Sequence, residues 1–174
     1  MPLSMYQASV PLFTQTLSGM SNVLDKGVAH YAANGLNIDD LIRMALAPDM
    51  MTLAQQVQMA CHHSVTAVAR FTETTEPDLG ATDTGIDGMQ ARIAAALAFM
   101  AGVTPDQMEG SETRRAEIQI RIGPVAFPGQ DLLLHFTIPQ VLFHATTAYD
   151  IVGHAGVELA KVDFLGDAFS RKID

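Results

Sequence analysis

Apolar positions recur along most of this chain at steps of three and four, the period of a helix with one buried stripe. The cleanest case follows Ser4, a natural N-cap: Val10, Phe13, Leu17, Met20, Leu24, Gly27 and Tyr31 step 3-4-3-4-3-4 and predict a long first helix. Gly35 is placed to end it as a left-handed residue, and Asn37 to cap a short piece, IDDLIRMAL. Ala47-Pro48-Asp49 breaks the chain, and a second long helix starts at Thr52, with Leu53, Val57, Ala60, Ser64, Ala67 and Phe71 on one side. The polar, Gly- and Pro-containing stretch TETTEPDLGATDTGIDG predicts a surface loop. Thr84 or Asp87 is the expected cap of a third helix carrying Met89, Ile93, Leu97 and Met100 and ending near Gly102, and Thr104-Pro105-Asp106 opens a further turn of helix.

The period then changes. In EIQIRIGPVAF, Ile118, Ile120 and Ile122 alternate with Gln119 and Arg121, and after the turn signal Pro128-Gly129 the run QDLLLHFTI is β-compatible. Together they predict a two-stranded hairpin lying against the helices, because an isolated hairpin is marginal alone. The last long helix is expected over Ile138 to Val157, with Pro139 in its first turn and Gly156 as its stop. Ile138, Val141, Leu142, Ala145, Ala148, Tyr149 and Val152 form its apolar stripe. The tail ELAKVDFLGDAFSRKID has no firm period and is expected to be ordered but to fray at its charged end.

Composition narrows the function classes. One domain of 174 residues, 48% apolar and 17% charged, is globular and large enough to bury its own core. A formal charge of −9 with ten scattered Lys and Arg argues against nucleic acid or an anionic membrane as partner. A single cysteine, Cys61, excludes an internal disulfide and fits a reducing compartment. With no basic leader and no apolar run of the roughly 18 residues that span a bilayer, the expected location is the cytoplasm.

Chemistry is sought first at the histidines. His144 lies on the border of the last helix's stripe, and His63, in the triplet Cys61-His62-His63, lies on the edge of the second long helix's apolar face. Inward side chains at matching heights build metal sites in bundles, so His63 and His144 form a reasonable pair of ligands for a divalent ion. On the residues alone a structural, hydrogen-bonded His63 is the favoured reading over a metal ligand. A third ligand is not compelled by spacing; Gln140, Cys61 and His62 are the candidates. His154 cannot share the site, being about 15 Å along the axis from His144. It pairs more simply with Asp150 one turn earlier. His135 is expected at a strand surface and His30 beside helix-end carbonyls. No Gly-rich phosphate loop, GxSxG elbow, CxxC pair or HExxH motif occurs.

Three segments carry a resemblance: LSMYQASVPLFTQTLSGMSNVLDKGVAH, LAPDMMTLAQQVQMACHHS and IPQVLFHATTAYDIVGHAGVELAKVDFLG. They are similar to a bacterial family of unknown function in the DinB/YfiT-like metalloenzyme superfamily, over nearly the whole chain. The resemblance implies an all-α four-helix bundle with a short β-hairpin before the last long helix, paired as a homodimer. It also implies a metal held by one histidine on the second helix and an HxxxH pair on the fourth. His63 matches the first and His144 the second, but Ala148 stands where the third is expected.

Two functions follow as expectations. In one, His63 and His144, with water, Gln140 or a partner chain completing the shell, hold nickel, zinc or iron, and the protein carries out thiol-dependent transfer or hydrolysis of a small molecule. In the other, the bundle is metal-free and binds a small apolar ligand or serves as an interaction module. Ala148 favours the second.

Overall fold

The computed structural model describes residues 3–81, 85–120 and 122–166. Four helices form the bundle: α1 (Met5–Ala33), α3 (Leu53–Thr72), α4 (Gly85–Ala101) and α6 (Ile138–His154). A short α2 (Ile38–Arg43) links the first two, and a hairpin of β1 (Arg115–Ile120) and β2 (Gly123–Pro128) precedes α6. The expected architecture, a four-helix bundle with a hairpin before its last long helix, is the observed one.

Local chemistry sets the helix ends. Ser4 and Gln7, and Thr52 and Gln55, form reciprocal capping boxes, so in each pair the two side-chain oxygens accept from two backbone N–H groups that a helix start leaves open. Asn37 accepts from the Asp39 N–H, but α2 stops at Arg43, short of the expected Leu46, because Met44 is extended. The last helix ends in a Schellman motif: Gly156 has φ of 90°, its N–H donates to the Gly153 carbonyl, and the Val157 N–H donates to that of Val152. Gly85 opens α4, which puts Asp87 inside the first turn rather than at the cap; the alternative cap, Thr84, lies outside the described residues.

One expectation is corrected. The run Gln130–Ile138 is not the second strand; it is helical. The hairpin closes earlier, with Ile120 opposite Gly123 and Arg115 opposite Pro128, so both strands come from the stretch read as one; Arg121 of that stretch lies outside the described residues. Pro128-Gly129 is therefore the exit from the sheet, not its turn. Leu132, Leu133 and Thr137 are buried, a helical spacing that turns one face of this run to the core.

Helix α5 (Gly129–Leu132), a π-helical turn (Leu133–Thr137) and α6 run on without a loop. The Ile138 N–H donates to the Leu133 carbonyl, five residues back. Pro139 is thus not at a free helix start. A proline ring clashes with the carbonyl four residues earlier in a regular α-helix, and the wider π turn just before it relieves that clash.

One hydrophobic cluster runs through the bundle, with Phe13, Leu17, Leu24, Leu53, Val57 and Ile151 fully buried. Ala116 of the hairpin joins it, and Ile118 and Phe127 pack against it. After α6, Lys161–Leu165 form a short α7 that docks on α1 where Gly19 lets the Phe164 carbonyl approach; Lys26 and Asp163 pair there at 2.7 Å. The remainder of the tail expected to fray, 167–174, lies outside the described residues. Among the described residues no helix is long and apolar enough to cross a membrane.

Candidate functional site

The two histidines singled out by sequence are brought together. Helices α3 and α6 are the most extensively packed pair in the bundle, and His63 on one meets His144 on the other with ring centroids 5.5 Å apart and planes 12° from parallel. Gln56 and His63 are two turns apart on α3 and share a stripe, with Ala60 between them. The His144 ring packs along that stripe, and its Nδ1 lies 2.7 Å from Gln56 Oε1. Gln56 is 1% exposed and His144 6%.

Aromatic rings frame the pair. Phe136, from the π turn, meets His63 edge-on at 6.0 Å and 81°, and Phe143 meets His144 edge-on at 5.4 Å and 84°. Phe143 remains 57% exposed, so the frame is open on one side. No fully buried side-chain nitrogen or oxygen among the described residues lacks a partner. Neither His63 nitrogen, nor His144 Nε2, has a hydrogen-bond partner among those residues.

Burial disfavours the imidazolium form in both rings. Desolvation, then the neighbouring His144 and His62, push His63 down to about 4, and desolvation lowers His144. At neutral pH the site presents uncharged imidazoles, each with one unprotonated nitrogen.

The other candidates do not join it. His62 is exposed, with Nδ1 3.3 Å from the Thr66 hydroxyl. Cys61 is fully buried, and burial pushes its thiol up to about 12, which removes the thiolate that would bind metal or attack. Gln140 makes no hydrogen bond to either ring; the amide that meets His144 is Gln56. His135 is exposed in the π turn rather than on a strand. Asp150 and His154 are both exposed and do not form an ion pair. A separate apolar groove of about 710 Å³, lined by Leu3, Met5, Tyr6, Met108, Leu133 and Leu134, is not lined by either imidazole.

The residues do not fit a three-histidine metal centre. Ala148, one turn beyond His144, is buried at 1% exposure and offers only a methyl group. Among the described residues no three His, Cys, Asp or Glu side chains are grouped to hold an ion.

A bundle of this topology, with a hairpin before its fourth helix, is a DinB-like fold. The crystal structure of a DinB family member protein from Shewanella denitrificans superposes on the chain with a TM-score of 0.85, at 30% identity over 93% of this chain and 92% of that one. Residues 5–165 match the model of the family described as Domain of unknown function (DUF1993), and the chain belongs to that family. No curated protein matches it.

Proposed function

We propose that the His63–His144 pair is a small-molecule binding site that works through neutral imidazole nitrogens rather than through a resident metal. The observation that carries this reading is the pair itself: two uncharged rings, three of whose four nitrogens have no hydrogen-bond partner among the described residues, framed by Phe136 and Phe143, with a methyl group where a third metal ligand would stand. Binding is favoured over proton-transfer catalysis because a base works best with a pKa near the operating pH, and His63 sits near 4. Such nitrogens are weak bases but good hydrogen-bond acceptors.

A second reading, a weak divalent-ion site used for thiol-dependent transfer or hydrolysis, is supported by one feature. The side-chain carbonyl of Gln56 accepts from the far nitrogen of the His144 ring, as carbonyls and carboxylates do behind histidines that hold a metal. Elemental analysis of untagged protein, beside a His63→Ala/His144→Ala double variant, separates the two. Little metal in either protein, together with small apolar fragments that shift the ring resonances of both histidines in wild type, is the expected result. Near-stoichiometric nickel, zinc or iron lost in the variant would overturn the metal-free reading and favour the second.

A further inference from the structure

We infer that Gln56 is a positioning residue that locks His144 as the Nδ1–H tautomer, so that the site presents His144 Nε2 as an obligate hydrogen-bond acceptor and selects apolar molecules bearing one O–H donor. The inference rests on the small-molecule reading of the His63–His144 pair and deepens it by naming the class of ligand.

The orientation of the Gln56 amide is set by the backbone. Its Nε2 donates to the Met51 carbonyl at 3.3 Å. Turning the amide over would place its oxygen against that carbonyl oxygen and its NH₂ against His144, losing one bond and setting two acceptors face to face. Oε1 therefore faces His144 Nδ1, 2.7 Å away. A carbonyl oxygen can only accept, so Nδ1 must carry the proton, and in a neutral imidazole the other nitrogen then has only a lone pair. Because Gln56 is buried, solvent does not compete for its oxygen.

The ring is also held in place. On one side it keeps the Gln56 bond, on another it stacks on His63, and Phe143 closes on it edge-on. Turning it over would break the bond to Gln56 and leave a buried amide oxygen unpaired, the expensive kind of loss. His144 Nε2 is thus a fixed acceptor at the base of an aromatic frame. A ligand whose apolar body rests on the exposed Phe143 and whose polar end reaches Nε2 must supply a donor to it. A ligand that lacks one leaves the acceptor desolvated and unpaired.

The test uses the full chain with ¹⁵N-labelled histidine and two probes of nearly the same shape: p-cresol, which has an O–H, and 4-methylanisole, in which a methyl replaces that hydrogen. In wild type without a probe, His144 is expected to show a pyrrole-type Nδ1 and a pyridine-type Nε2. A protonated Nε2 would overturn the lock without any variant being made. The Gln56→Leu substitution is expected to shift the tautomer balance toward Nε2–H and to weaken p-cresol binding about tenfold, the worth of one hydrogen bond. In wild type, 4-methylanisole is expected to bind about tenfold more weakly than p-cresol. Equal binding of the two would overturn donor selection while leaving the small-molecule reading intact. If neither probe moves the His63 or His144 resonances, that reading falls and the inference falls with it.

Discussion

His63 is the residue at which pH should register. Its folded pKa is near 4, against about 6.5 for an unperturbed histidine. Between those values the unfolded chain binds the extra proton and the folded chain does not, so stability rises with pH through that window. The contribution is complete above pH 6.5 and is lost as the pH falls toward 4. We expect urea unfolding to show a loss of stability between pH 7 and pH 4.5 that His63→Leu reduces by on the order of 2 kcal/mol, with His144, also held down by burial, keeping a share of its own. A variant with the slope of wild type would mean that His63 is not the desolvated group. At Ala148 the expectation concerns what is missing. Ala148→His places a second imidazole one turn beyond His144, and isothermal titration should then show Zn²⁺ or Ni²⁺ binding far tighter than in wild type, at an overpacking cost of about 1–3 kcal/mol. The pairing of His63 with His144 was legible because both sit at the edges of apolar stripes. Gln56 was not, because Gln55, Gln56 and Gln58 look alike in sequence. Only the phase of the stripe, with Leu53 three positions before and Ala60 four after, marks Gln56 as the inward one.

At the scale of elements, the long helices and their caps could be read directly, because a stripe repeated over several turns has no strand interpretation. The run from Gln130 to Ile138 could not. Three consecutive leucines suit a buried helix as well as a strand, and the correct answer depended on where the hairpin had already closed. Short helix α7 was equally hidden, since none of its residues is fully buried and its place is fixed by a partner's backbone. That dependence gives a direct test. A Cβ at position 19 would overlap the Phe164 carbonyl oxygen, so Gly19→Ala must push α7 off α1. Hydrogen exchange in Lys161–Leu165 should rise toward unprotected rates, with a global loss of about 1–3 kcal/mol in urea. A fully protected α7 in that variant would contradict the docking.

For the whole molecule, one continuous core through α1, α3, α4 and α6 predicts one cooperative transition, with far-UV and near-UV circular dichroism coinciding on heating. Phe13→Ala, at a fully buried position, should shift that transition by about 3–5 kcal/mol without splitting it. Two separated transitions would show that the hairpin and the bundle are distinct cooperative units. The π turn matters at this scale as well. A helix that gains one residue for a single turn changes its winding phase, by about 100° for each residue counted in or out. Deleting any one residue from Leu133–Thr137 would restore regular winding, yet it would rotate Leu132 and the hairpin behind it away from the face they cover. The extra residue acts as a fixed angular offset between two halves of one rod: the half beyond it presents His144 to α3, while the half before it keeps β1 and β2 seated on the bundle.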